Sequence, residues 1–195
     1  MKISDIQRYD SRKMYEAYEK WPEIAQESYY LKDLQKIQFR NIDHIVFAGV
    51  GGSGTIGDVI SSILSKNNIH VNVVKGYLLP KTVSSNTLVV TTSVSGNSKE
   101  ALTVLQNAKK SKGKFVAVSS GGKMKKYSIK NKISYYEIPE IHSPRVSFSS
   151  YLYSILNVLE DVIPVKKQGV KESISMLMET RKKISSTNLT NSNPA

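Results

Sequence analysis

Residues 44–54 read His44-Ile-Val-Phe-Ala-Gly-Val-Gly-Gly-Ser-Gly54, an apolar run that hands over at once to a glycine-rich turn. The run predicts a buried strand. The apolar residues from Ile56 to Leu64 recur at helical spacing behind it, so the turn predicts a strand-to-helix junction. The same alternation continues along the chain. HVNVVKG (70–76), TLVVTTS (87–93), KFVAVSS (114–120) and ISYYEIP (133–139) read as four more strands, and residues 98–112 as a helix. Short β-branched strands interspersed with helical patterns predict an α/β fold, a five-stranded parallel sheet flanked by helices and doubly wound.

Outward from this centre, the first forty residues read as helical. Met14, Ala17, Trp21 and Ile24, then Leu31, Leu34 and Ile37, recur at steps of three and four, and Pro22 suits a first turn. Residues 146–159 and 170–184 read as two closing helices. The tail SSTNLTNSNPA (185–195) is poor in apolar residues and reads as a linker. The expected organisation is therefore N-terminal helices over 1–40 packed on a domain over 41–184, then the tail. The chain of 195 residues is 39% hydrophobic and 23% charged, the balance of a globular protein. No run approaches the roughly 20 apolar residues of a membrane span, and the N-terminus lacks an apolar leader core. No cysteine is present, and His44, His70 and His142 have no ligand-like spacing. A cytoplasmic protein without metal or cofactor is expected.

The net charge is +12. Lys109, Lys110, Lys112, Lys114, Lys123, Lys125, Lys126, Lys130 and Lys132 crowd a stretch without Asp or Glu between Ala101 and Tyr136. Such a field attracts anions, from sugar phosphates to nucleic acid, although it is also what a solvated lysine face looks like. No nucleic-acid-binding signature accompanies the lysines, which argues against nucleic acid as the partner.

Gly49-Val-Gly-Gly-Ser-Gly54 has the G-x-G-x-x-G spacing of a dinucleotide fingerprint. That fingerprint needs an acidic residue about 20 positions on, at the end of the second strand, for the ribose hydroxyls. Here the second strand ends in Val74-Lys75-Gly76, and no Asp or Glu lies between Val59 and Lys99. Only a 2′-phosphorylated cofactor held by Lys75 would escape this objection.

The third strand ends in Ser93-Val-Ser-Gly-Asn-Ser-Lys-Glu100. Hydroxyls around a glycine, where a strand meets a helix, can cup a phosphate monoester, because backbone amides and hydroxyls all donate there. The competing use is local: Asn97 as N-cap and Glu100 as its capping-box partner. Both uses are compatible if the serines face the ligand. If strands one and three are neighbours, both turns open on the switch-point crevice of the sheet.

SVSGNSKE resembles the S-x-S-G-x-[ST]-x-E motif of sugar isomerase (SIS) domains. AGVGGSG before a helix, the Ser120-Gly121-Gly122 turn, Ser143-Pro144-Arg145 and the N-terminal MYEAYEKWPE extend the likeness to the archaeal-type bifunctional phosphoglucose/phosphomannose isomerases. The resemblance covers nearly the whole chain. It implies a flavodoxin-like SIS fold and the interconversion of glucose or mannose 6-phosphate with fructose 6-phosphate. Ser93, Ser95 and Ser98 would bind the phosphate, and Gly51, Gly52 and Ser53 would contact the sugar. Arg145 would stabilise the enediolate, a role suited to a fixed cationic donor. Val94 and Ser98 depart mildly from the usual residues at their positions.

The larger departure is length. The isomerisation needs a base to move a proton between adjacent carbons and an acid to open the ring. The family supplies both from a second SIS domain, one of them across a dimer interface, and this sequence ends where that domain would begin. Asp58, Glu137, Glu140 and His142 are the local groups weighed as substitutes, with ion-paired or solvated roles as their ordinary alternative. Three readings remain: part of an isomerase completed by a second SIS domain or a homodimer, a non-catalytic phosphosugar-binding module, or a basic nucleic-acid-associated protein.

Overall fold

A computed structural model describes residues 2–190 and 192–194. Five strands form one sheet: β1 (His44–Ala48), β2 (His70–Val74), β3 (Thr87–Ser93), β4 (Lys114–Ser119) and β5 (Ser134–Glu137). Their order is β2-β1-β3-β4-β5 and every pairing is parallel. The chain passes from β1 outward to β2, then returns to the other side of β1 as β3. The order therefore reverses between β1 and β3, and the crevice above their carboxyl ends is the switch point.

The helices are α1 (Ile3–Tyr9), α2 (Met14–Glu19), α3 (Trp21–Tyr29), α4 (Gly52–Leu64), α5 (Lys99–Gln106), α6 (Gly122–Lys130), α7 (Phe148–Val158) and α8 (Lys167–Ile184). They cover both faces of the sheet. Ile45 and Phe47 of β1 share one core with Ile56 and Ile60 of α4, Tyr151 and Ile155 of α7, and Val170 and Ile174 of α8. Val46 and Ala48 point the other way, into a second core with Val104 and Leu105 of α5 and Met124 of α6. Alternate residues of one strand thus serve opposite layers, which is why the central strands read as continuous apolar runs. Each fully buried aliphatic side chain contributes about 1.5–3 kcal/mol.

Two sequence expectations change. Leu31, Leu34 and Ile37 are not helical; residues 31–37 form a loop laid along α7, with the Ile37 amide bonded to Val158 O at 3.0 Å and Asn157 Nδ2 to Leu31 O at 3.1 Å. Of the three only Ile37 is buried, Leu34 is half-buried and Leu31 exposed, so the helical spacing does not mark one buried face. The helix expected over 98–112 ends at Gln106 and closes in a 3-10 turn, Asn107–Lys109. Residues 75–86 join β2 to β3 without a helix, whereas β4 and β5 are joined by α6, a lysine-rich helix with only Met124 and Ser128 buried.

Every residue of α7 from Ser149 to Val158 is buried, although the helix carries three serines and Asn157. The N-terminal segments satisfy part of this polarity. Ser149 Oγ donates to Trp21 O at 3.1 Å, and Ser28 Oγ to Ser150 Oγ at 3.3 Å. Trp21 Nε1 donates to Val146 O at 2.8 Å, just beyond Arg145.

Candidate functional site

The crevice at the switch point is a cleft of about 200 Å³ lined by Val50, Gly52, Ser53, Ser93, Val94, Ser95, Ser98, Pro144 and Arg145. Six of the seven residues singled out from the sequence line it. The seventh, Gly51, is the N-cap of α4 beside Gly52, where an added Cβ would meet nothing within 4 Å, so it lies at the open rim.

Each wall has a local cause. Gly49 N–H bonds Val74 O at 3.0 Å, which carries the β1–β2 pairing one residue past Ala48 before the chain turns. At Gly54 a Cβ would stand 2.7 Å from Gly49 O and against the stem of Lys75, so only glycine lets α4 begin this close to the turn. The glycines therefore perform the steric work of the G-x-G-x-x-G spacing. The ribose-binding acid stays absent, and Lys75 Nζ is held by Asp58 Oδ2 at 2.7 Å. That pair also occupies Asp58 away from the cleft residues.

The opposite wall is the loop from β3 to α5. Ser98 is the N-cap of α5, yet its hydroxyl makes no cap bond; it donates instead to Ser93 Oγ at 2.7 Å. Ser95 Oγ accepts the Asn97 amide at 3.3 Å. The hydroxyl protons of Ser93 and Ser95 are left for an acceptor in the cleft. The N-termini of α4 and α5 both open here, and their partial positive charges add to the hydroxyl donors. The arrangement suits a compact oxyanion.

Asn97 and Glu100 do not form the capping box weighed from the sequence. Asn97 Oδ1 accepts the Lys123 amide at 3.1 Å, capping α6 across the loops, and Glu100 Oε1 accepts Tyr77 OH at 3.1 Å. Burial of the loop is tight. Gly96 has φ +65°, and a Cβ there would lie 2.0 Å from Gly121 O. Val94 O accepts both the amide and the hydroxyl of Ser120, at 3.0 and 2.6 Å. The Ser120-Gly121-Gly122 turn thus buttresses the serine loop from behind.

Arg145 sits in the turn before α7, exposed, with its guanidinium free of hydrogen-bond and ion-pair partners among the described residues. Its loop is held from below. Ser147 Oγ accepts Ile141 N–H at 2.8 Å and bonds Ser143 O at 2.9 Å. Tyr151 OH donates to Ile138 O at 2.7 Å and lies 3.3 Å from Val94 O, linking this loop to the serine loop. Burial pushes the Tyr151 phenol far up, so it stays a neutral donor.

No carboxylate or imidazole lines the cleft. Glu137 Oε2 accepts Lys125 Nζ at 2.6 Å, and His142 Nε2 lies 2.8 Å from Arg12 O. Among the described residues there is no cluster of three or more His, Asp or Glu, and no helix long and apolar enough to cross a membrane. Lys123, Lys126 and Lys130 lie exposed on α6, behind the buttress rather than in the cleft.

Comparison with known proteins gives the family. A SIS-domain profile matches residues 38–143. The chain belongs to the SIS-domain family. It is 32% identical over 176 residues to the bifunctional phosphoglucose/phosphomannose isomerase of Caldicellulosiruptor bescii, an alignment covering 87% of this chain and 52% of that protein. Several further relatives bear the same name. The D-glucosamine-6-phosphate 4-epimerase of Sulfolobus acidocaldarius is 26% identical over 88% of this chain and 56% of its own length. Among solved structures, the C-terminal domain of glucosamine-fructose-6-phosphate aminotransferase from Francisella tularensis superposes with TM-score 0.56 at 15% identity. That match covers 86% of this chain and 53% of that one. The SIS chain described here thus spans about half the length of the curated relatives it matches.

Proposed function

We propose that this chain is the phosphosugar-binding SIS domain of a glucose 6-phosphate/mannose 6-phosphate isomerase, interconverting these aldoses with fructose 6-phosphate. The observation that carries the reading is the unpaired Arg145 guanidinium in the same cleft as Ser93, Ser95 and Ser98. The serines, with the amide ends of α4 and α5, would receive the phosphate. Gly51, Gly52 and Ser53 would face the sugar. Arg145 would stabilise the enediolate oxygen once a proton leaves C2 on its way to C1, and charge of that kind is best met by a fixed donor already in place.

A base for the proton and an acid for ring opening are absent from the cleft lining. On this reading they come from a second SIS domain or from a second copy of the chain. Residues 1–40 then act as helices packed on a domain over 41–184, and 185–195 as a linker. A cytoplasmic role in glycolysis or gluconeogenesis follows from the same reading, without cofactor.

The missing base equally favours a second reading, a phosphosugar-binding module without turnover. Isomerase assays on the chain alone and mixed with a second SIS domain separate the two. Activity restored by mixing supports the isomerase. Fructose 6-phosphate binding without activity in any combination supports the module.

A further inference from the structure

Asn97 stands between the serine loop and α6 and belongs to neither list of ligand-facing residues. Its side-chain amide is used at both ends: Nδ2 donates to Ser95 O at 2.9 Å, and Oδ1 accepts Lys123 N–H at 3.1 Å. The two partners fix which end is oxygen, because a flipped amide would face donor with donor and acceptor with acceptor. The contact is reinforced on both sides. Met124 N–H bonds Gly96 O at 2.9 Å, and a Cβ on Gly122 would stand 2.5 Å from Ser95 O and 2.9 Å from Asn97 Oδ1. The backbone at Ser95 therefore rests on the first turn of α6.

We propose that Asn97 is a positioning residue of the anion cup: its amide clamps the Ser95 carbonyl to the N-terminus of α6 and thereby fixes where the Ser95 hydroxyl points. The proposal rests on the reading of this cleft as a phosphosugar site. Without the clamp, only the 3.3 Å bond from the Asn97 backbone amide holds the Ser95 hydroxyl on its exposed turn, and a bound oxyanion would have to order the turn. With the clamp, the donor is already in place. The same residue also makes α6 sense the cup, since one amide serves both.

Three measurements on the full chain test this, with inorganic phosphate and fructose 6-phosphate as probes. Asn97→Ala is expected to weaken both probes about tenfold and by the same factor, because the sugar-facing residues are untouched. It should also speed hydrogen exchange at the Lys123 amide. Asn97→Asp keeps an acceptor for Lys123 N–H but loses the donor to Ser95 O. Its thermal midpoint and Lys123 exchange should match wild type while affinity still falls, at an ionic strength high enough to screen the added charge. A merely structural role would tie affinity to the thermal midpoint. Either variant binding phosphate within twofold of wild type overturns the proposal. If wild type binds neither probe, the phosphosugar reading fails by itself. The clamp then stands or falls on exchange, and an unchanged Lys123 rate in Asn97→Ala overturns it.

Discussion

The hydroxyl of Ser98 donates to the hydroxyl of Ser93 across 2.7 Å instead of capping its own helix. One serine therefore orients another, and Ser93, buried at the end of β3, accepts this bond and keeps its own proton for another acceptor. Ser93→Ala and Ser95→Ala should each weaken fructose 6-phosphate binding by about 1–3 kcal/mol, the range for losing a bond to a charged group. Ser98→Ala, which acts partly through Ser93, should cost less. Titration calorimetry measures all three, and unchanged affinity in both Ser93→Ala and Ser95→Ala would contradict the cup.

Gly96 admits no side chain. Its φ of +65° and the 2.0 Å separation of a Cβ from Gly121 O mean that Gly96→Ala must displace the buttressing turn. Overpacking and the left-handed backbone together predict a loss of roughly 2–4 kcal/mol. Urea unfolding reads the loss. Gly51→Ala, with open space around its Cβ, suffers only the backbone part and is the matched control.

The Arg145 side chain has no hydrogen-bond or ion-pair partner among the described residues, so Arg145→Ala should leave the unfolding midpoint unchanged. In an isomerase reconstituted with a second SIS domain, turnover should fall about 100-fold or more while fructose 6-phosphate affinity changes little, in line with loss of one donor to a developing oxyanion. Arg145→Lys should recover little, because an ammonium lacks the planar fork. Turnover equal to wild type would remove Arg145 from the chemistry.

Glu23 and Arg181 join α3 to α8 through bonds of 2.6 Å to both carboxylate oxygens. Partial burial pushes the Glu23 carboxyl up, but the Arg181 bonds outweigh it and leave it below its ordinary value of 4.5. A carboxyl lowered by folding stabilises the folded state above its unfolded pKa, and the contribution disappears as pH falls through the lower, folded value. Wild type should therefore lose stability between pH 4.5 and more acid conditions, and Glu23→Gln should lose less over the same interval. Urea midpoints at neutral pH and at about pH 3 make the comparison.

Tyr151→Phe removes the one hydroxyl that reaches both Ile138 O and Val94 O in the core. Val94 O keeps Ser120, whereas Ile138 O is left short of a partner. A loss of about 1–3 kcal/mol is expected from the unsatisfied buried carbonyl, measured by chemical unfolding.

The parallel sheet was legible because its central strands β1, β3 and β4 are buried on both faces and so read as nearly unbroken apolar, β-branched runs. The cleft was legible too, since Gly51 to Ser53 and Ser93 to Ser98 follow strands that lie side by side, and motif spacing already placed both turns at carboxyl ends. Helix α6 was not legible. It buries only Met124 and Ser128 and exposes lysines elsewhere, so its apolar stripe is too narrow to register. Topology held a clue, because parallel neighbours β4 and β5 need a crossover. Asn97 was misjudged for a different reason: its partner Lys123 lies 26 positions away, and local capping rules look only three or four residues ahead. The Leu31, Leu34 and Ile37 spacing misled because it marks no common buried face: Ile37 is buried, Leu34 half-buried and Leu31 exposed in a loop beside α7.

Helix α7 is buried from Ser149 to Val158, and its Ser149, Ser150 and Asn157 are answered by Trp21, Ser28 and Leu31. The span that matches the SIS-domain profile, 38–143, includes neither that helix nor those partners. Cut to that span, the protein would uncover the α7-facing side of β1 and β3 and keep only α4 over that face. The stretch by which the family is recognised therefore leaves out part of the core that covers its own sheet.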